Sequence, residues 1–442
     1  MKTTVLKFLS LIILLNFMVA CNDDMDDVAD DVDDHDHDDE VTFADMESDW
    51  VRLSLMHHDE IDVMQPNNGE IHASVDGELV EGARYYTSNS GRYLISIDRA
   101  GGALRFFDSG VEKHDDHGHE HTPRWLDLEV NTLLPTHYAS SKGHVVIFND
   151  GDGSITHINE AQLEIPTYSP VSYTFENTVA HHGAGFRLEN GQFVTTFKNN
   201  DEPGGLPQMV KFVESNGTVI DDNGGVEVGG IHGDAVNGHY GIFGSTDGVI
   251  LVDDEGEISL IENTGDLNSE SGNWLGTLKG HDNSEMFFAR SRNVGVFMID
   301  PENKSMTQIY AGSDVVGDMF SFDGEYYIVH TSDNRIRVFD AHDGDELANR
   351  VVEMADIPEA HGHDHRSALS EIEILRQMDD PDPVLVCSDK FLYVLSTNRT
   401  QVKILEIDDL HHVHTIELDH AVEGMMKNGF SIEGDHDHDH DH

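Results

Sequence analysis

Positive charge is scarce in this chain. Only 26 of 442 residues are Lys or Arg, against 85 Asp and Glu, a formal net charge of −59. Phosphate backbones are bound through Lys and Arg, so this balance excludes nucleic acid as a partner and favours a cation. Cysteine is almost absent. Of the two present, Cys21 closes an N-terminal apolar run and only Cys387 lies further on, which leaves no pair for a structural disulfide within the folded part. Beyond residue 20 no apolar run is long enough to span a bilayer, and few segments show helical periodicity. Stability must therefore come from a hydrophobic core built of strands, and a chain of this length is large enough to bury one.

The first residues read as an export signal. Lys2 and Lys7 precede and flank the apolar run Val5 to Val19, which ends in Met18-Val19-Ala20-Cys21. Small residues before a cysteine resemble the bacterial lipobox. This implies cleavage after residue 20, lipidation of Cys21, and a protein tethered on the periplasmic or cell-surface side of a bacterial membrane by its lipid alone. Residues 21–45 are expected to form an acidic, histidine-containing disordered tether and residues 423–442 an Asp/His-rich disordered tail, with the folded domain at 46–422.

What the sequence has in abundance is histidine, 30 residues in all. The tail ends in alternating Asp and His through His436, His438, His440 and His442, and two internal runs are equally rich: His114 to His121, and His361, His363 and His365.

Between the ends a unit of two hairpins repeats every 40 to 50 residues or so, the period of propeller blades. Its first half is a strand, a Gly turn and an apolar strand, as in Lys142-Gly143-His144-Val145-Val146-Ile147 and Asn237-Gly238-His239-Tyr240-Gly241-Ile242. Such turns join the strands of hairpins. Seven units start near Ala83, His137, His182, His232, Leu275, Gly317 and Ile372. The expected fold is an all-β propeller, seven-bladed or eight-bladed, with Trp50 to Ile61 and Val413 to Leu418 pairing to close the ring or adding an eighth blade. A closed ring of four-stranded sheets protects its strand edges without disulfides.

In a propeller the innermost strand of every blade lines the central channel and begins on one common face. Three consecutive units carry histidine there: His137, the pair His181 and His182, and His232. Counting back six residues from the hairpin glycines Gly143 and Gly238 reaches His137 and His232, which puts both at one level of the channel. Successive strand residues face opposite ways, so one of His181 and His182 should point away, although a bend before Gly183 would let both contribute. His181, His182 and His232 together are expected to form the fixed half of a metal site. Asp234, two residues beyond His232, is a further ligand or an orienting partner for an imidazole. The runs containing His117, His119 and His121, and His361, His363 and His365, read as blade-to-blade connections opening onto the same face. Rigid strand histidines together with a movable His-x-His loop would supply the three or four ligands zinc prefers. His361, His363, His365 and the tail histidines read as secondary, weaker metal sites.

At these residues the chain resembles the AztD-type periplasmic zinc metallochaperones. The resemblance rests on His181-His182-Gly183, on His232-Gly233-Asp234-Ala235 followed by Phe243-Gly244-Ser245-Thr246-Asp247-Gly248-Val249, and on Asp108-Ser109-Gly110 leading into the His117 to His121 loop. It implies a non-enzymatic propeller that binds zinc and delivers it to the solute-binding protein of a zinc ABC importer. The chain departs from the family where members often have cysteines, holding Gly229 or Gly230 and Ser245 there, so the structural disulfide those cysteines would form is missing. Nucleophile elbows, P-loops and His-Glu-x-x-His helices are absent from the sequence. Two other classes fit the same residues: a zinc-dependent hydrolase, since a zinc with an open position activates water, and a zinc buffer or interaction scaffold.

Overall fold

The computed structural model describes residues 42–176, 178–355 and 382–432. Eight antiparallel sheets, seven of four strands and one of three, are arranged as an eight-bladed β-propeller. The innermost strands, in ring order, are Arg84–Thr87, Pro135–Ser141, Gly185–Arg187, Ile231–Val236, Thr277–Lys279, Val315–Phe320, Val384–Cys387 and Gly424–Gly429. Blades 1 to 8 are numbered in that order, and the strands of each blade are lettered a to d from the channel outward.

The burial pattern explains why the repeats read as they do. Second strands such as Phe193–Phe197 and Phe391–Leu395 are buried along their whole length, because a neighbouring blade packs on each face and continuous apolar runs are needed there. Outer strands such as Glu70–Asp76 are mostly exposed. The core is consequently distributed around the ring, as in the interface of Phe186, Val194, Phe212, Phe243 and Ile250 between blades 3 and 4.

The eighth blade closes the ring. It takes Val51–Met56, Glu60–Gln65 and Glu70–Asp76 from the beginning of the domain and its innermost strand, Gly424–Gly429, from the end. Val51 pairs with Gly429 and Met56 with Gly424. The expected partner, Val413 to Leu418, instead belongs to the outermost strand of blade 7, His412–Glu417, and the domain runs past the expected boundary at 422. The closing strand is hard to read because its polar residues are buried. The Lys427 ammonium lies 3.0 Å from the Phe322 ring centroid and donates to the Gly429 carbonyl at 2.8 Å. Asn428 accepts from Ser54 Oγ at 2.7 Å.

Strand direction fixes the two faces of the ring. Strands a and c run one way and b and d the other. Connections between blades and b–c turns therefore lie on the face where strand a begins, and a–b turns and c–d connections on the opposite face. The His114 to His121 run connects strand Ala103–Asp108 to strand Arg124–Asn131, the third and fourth strands of blade 1. It is a c–d insertion, not a blade-to-blade connection, and so lies on the face opposite the starts of the innermost strands. Its root confirms this: Asp108 pairs with Tyr93, just past the a–b turn, and Ser109 N–H donates to the Arg92 carbonyl at 3.0 Å.

Candidate metal centre at the channel mouth

Three of the expected residues meet. One ring nitrogen each of His137, His182 and His232 lies within 4.8 Å of the others. The ring centroids stand 4.9, 5.3 and 5.0 Å apart for the pairs 137–182, 137–232 and 182–232. His137 Nε2 and His182 Nε2 are separated by 3.4 Å. Two nitrogens on a tetrahedral zinc, each at about 2.0–2.1 Å, are roughly 3.3–3.4 Å apart. That pair already has the separation an ion would impose.

Local backbone irregularity aims the rings. The register of the first two strands shifts between Pro135 and His137 in blade 2 and between Ile231 and Asp234 in blade 4. These are β-bulges, which redirect side chains at strand ends. In blade 4 the bulge contains Gly233 at φ +77°, a conformation that favours glycine. His182 precedes its strand and is held by its N–H on the Gly205 carbonyl at 3.2 Å.

Hydrogen bonds at the far side of two rings set their tautomers. His182 Nδ1 donates to Asp150 Oδ2 at 2.7 Å, and Arg99 Nη2 donates to the same oxygen at 2.8 Å. His232 Nδ1 donates to the Gly276 carbonyl at 2.9 Å. With the proton on Nδ1, each Nε2 carries a free lone pair for a metal. Burial alone would raise Asp150, but the bonds from His182 and Arg99 hold its carboxyl below the usual range. His137 is driven down to about 3, first by burial and then by its two histidine neighbours, so it stays neutral and ligating at neutral pH. Trp274 stands edge-on to His232 at 6.1 Å.

The remaining expected ligands go elsewhere. His181 is buried, with Nδ1 donating to the Val179 carbonyl at 2.7 Å and Nε2 3.1 Å from Thr196 Oγ1. Both nitrogens are used, and the ring packs on Phe148 at 5.0 Å, which makes it a core residue. Asp234 is outside the trio, because the bulge interrupts the alternation that would have put it beside His232. Its Oδ2 is buried without a partner, and burial pushes the carboxyl up to about 8. His117 and His119 sit on the opposite face, so they cannot be the movable half of this site. His121 bonds Glu112 at 3.0 Å. His361, His363, His365, His436, His438, His440, His442 and Cys21 lie outside the described residues.

Asp150, Arg99 and Gly276 were missed from sequence. The available signal was topological: Asp150 follows strand His144–Asn149 at the b–c turn of blade 2, on the face where His137 begins its strand.

An eight-bladed ring with three imidazoles converging at one mouth of its channel is the class that these observations define. No family model matches the sequence. Among solved structures, apo AztD from Citrobacter koseri aligns with TM-score 0.69 at 18% identity over 87% of this chain and 99% of that one. A second Citrobacter koseri AztD structure aligns with TM-score 0.69 at 19% identity, covering 86% and 98%. The dihydro-heme d1 dehydrogenase NirN aligns with TM-score 0.50 at 12% identity, covering 86% and 75%. The chain thus has the AztD-type propeller fold, and at these identities the likeness is one of fold.

Proposed function

We propose that this protein is a zinc-binding metallochaperone. The channel mouth captures zinc on His137, His182 and His232 and passes it to the solute-binding protein of a zinc ABC importer. The observation that carries the reading is the convergence of three imidazoles with the 3.4 Å nitrogen spacing and two preset Nδ1–H tautomers. The resemblance of the His182 and His232 segments to zinc metallochaperones, and the fold shared with AztD, support it. Three protein ligands leave the fourth position of a tetrahedral zinc open. An acceptor's ligand can enter there, so that exchange proceeds by substitution and not by waiting for spontaneous loss. Cleavage before Cys21 and lipidation of its sulfur and amine would confine delivery to one membrane surface.

An open position on zinc is equally what a hydrolase uses to activate water, and one experiment separates the readings. Zinc-loaded protein is mixed with the solute-binding protein at several concentrations, and with a chelator alone. A transfer rate that rises with acceptor and exceeds loss to the chelator is the outcome expected of a chaperone. A rate equal to spontaneous loss at every concentration would reduce the protein to a zinc buffer, and zinc-stimulated hydrolysis would make it an enzyme.

A further inference from the structure

The insertion in blade 1 is an ordered two-stranded hairpin, Val111–His114 with His117–Glu120. His114 pairs with His117 and Glu112 with His119. Directly paired residues share a face of a hairpin, as do residues two apart. His114, His117 and His119 therefore project from one face, around a turn with Asp115 at φ 51°. One nitrogen from each lies within 4.8 Å of the others, with ring centroids 4.9 to 5.7 Å apart. His117 Nδ1 donates to Asp116 Oδ1 at 3.0 Å, which leaves its Nε2 for a ligand. His121 is withdrawn because Glu112, itself held by Arg92 at 2.6 Å, binds it.

The other face of the hairpin is fastened to the ring. A Cβ on Gly118 would come within 2.3 Å of the Trp50 indole, so only glycine permits this contact. Glu120 accepts from Arg52 at 2.5 Å, and the Lys113 ammonium lies 5.8 Å from the Phe430 ring centroid. The three imidazoles are thus presented to solvent on a pinned ribbon.

We propose that His114, His117 and His119 form a second metal site, independent of the channel mouth and on the opposite face of the ring, for a divalent cation of the zinc and nickel class. Imidazole nitrogen suits those ions, and three ligands on one rigid face again leave open positions. Solvent exposure of all three rings and the exposed position of Asp116, the carboxylate that His117 bonds, make it the weaker and faster-exchanging of the two.

The tryptophans allow the sites to be read separately. Trp50 packs on the hairpin and Trp274 stands beside His232, so an open-shell ion in either site quenches a different indole. Full-length, metal-free protein is titrated with Ni2+ while tryptophan fluorescence is followed, with and without one equivalent of zinc added first. Zinc should remove the phase due to Trp274 and leave a second, weaker phase. That second phase should vanish in the H114A/H117A/H119A variant and in Trp50→Phe, with circular dichroism unchanged. Persistence of the phase in the triple variant, or its absence from the wild type, overturns the proposal. Single substitutions His117→Ala and His119→Ala, each expected to weaken the phase at least tenfold, serve if the triple variant misfolds. His182→Ala should abolish only the Trp274 phase, so failure of the channel site and failure of the hairpin site give different results.

Discussion

The two histidine trios differ in what stands behind them. At the channel mouth the rings are half-buried and two are oriented by Asp150 and the Gly276 carbonyl. On the hairpin all three are exposed, and His117 alone has a near hydrogen-bond partner for its orientation, the solvent-exposed Asp116. Equal ligand counts need not give equal sites. A metal site assembled before the ion arrives loses less ordering entropy on binding, and outer partners that fix a tautomer raise the basicity of the ligating nitrogen.

The comparison breaks most visibly if the ligands themselves are removed. His182→Ala or His232→Ala should lower the affinity of the tight site by more than roughly 100-fold, exceeding the 10–100-fold typical of an outer partner, while the hairpin variants leave that affinity unchanged. Competition against a zinc chromophore measures both. The next largest effect belongs to Asp150→Asn. The amide oxygen can still accept but carries no charge to strengthen the bonds from His182 and Arg99, and the expected loss is about 10–100-fold. Equal affinities for Asp150→Asn and wild type would remove the distinction between an oriented trio and a merely adjacent one.

Acid sharpens the contrast. Protons compete with metal for imidazole around pH 6.5 in the ordinary case. His137, neutral down to about 3, denies them one of the three channel nitrogens. Zinc should therefore leave the hairpin at a higher pH than the channel mouth, which zinc release monitored in the H182A and hairpin variants would show.

Much of this was legible in the residues. The Gly143 and Gly238 turns put His137 and His232 at one level, whereas strand alternation left His181 a candidate ligand through a bend before Gly183, and in the structure it turns into the core. What hid was long-range or polar. The eighth blade takes its innermost strand from some 370 to 380 positions away in sequence, as the pairings of Met56 with Gly424 and Val51 with Gly429 show, and Lys427 and Asn428 in that strand fall within the stretch expected to be a disordered tail. The hairpin lies on the face opposite the expected one because blade 1 carries its insertion between strands c and d, and an insertion shows its length in sequence but not which connection it extends. Asp234 does not join His232 as strict alternation would have it, because the bulge at Gly233 shifts the register.

A smaller effect concerns Asp234 itself. Its carboxyl is raised by burial to about 8, well above an unfolded value of about 3.9. Between those two pH values the unfolded chain gives up a proton that the folded one keeps, so stability falls as pH rises through this window and levels off above it. In metal-free protein, Asp234→Asn should melt higher than wild type near pH 8, with the two converging towards pH 4. A difference independent of pH would show that the carboxyl is ionised in the folded state.

The most direct test of the account is anomalous scattering at the zinc edge from a crystal of the full chain grown with one equivalent of zinc. The account predicts a single strong peak at the channel mouth, about 2.0–2.1 Å from one nitrogen each of His137, His182 and His232. A peak on the hairpin with the channel mouth empty, or zinc held without those three residues, would contradict it.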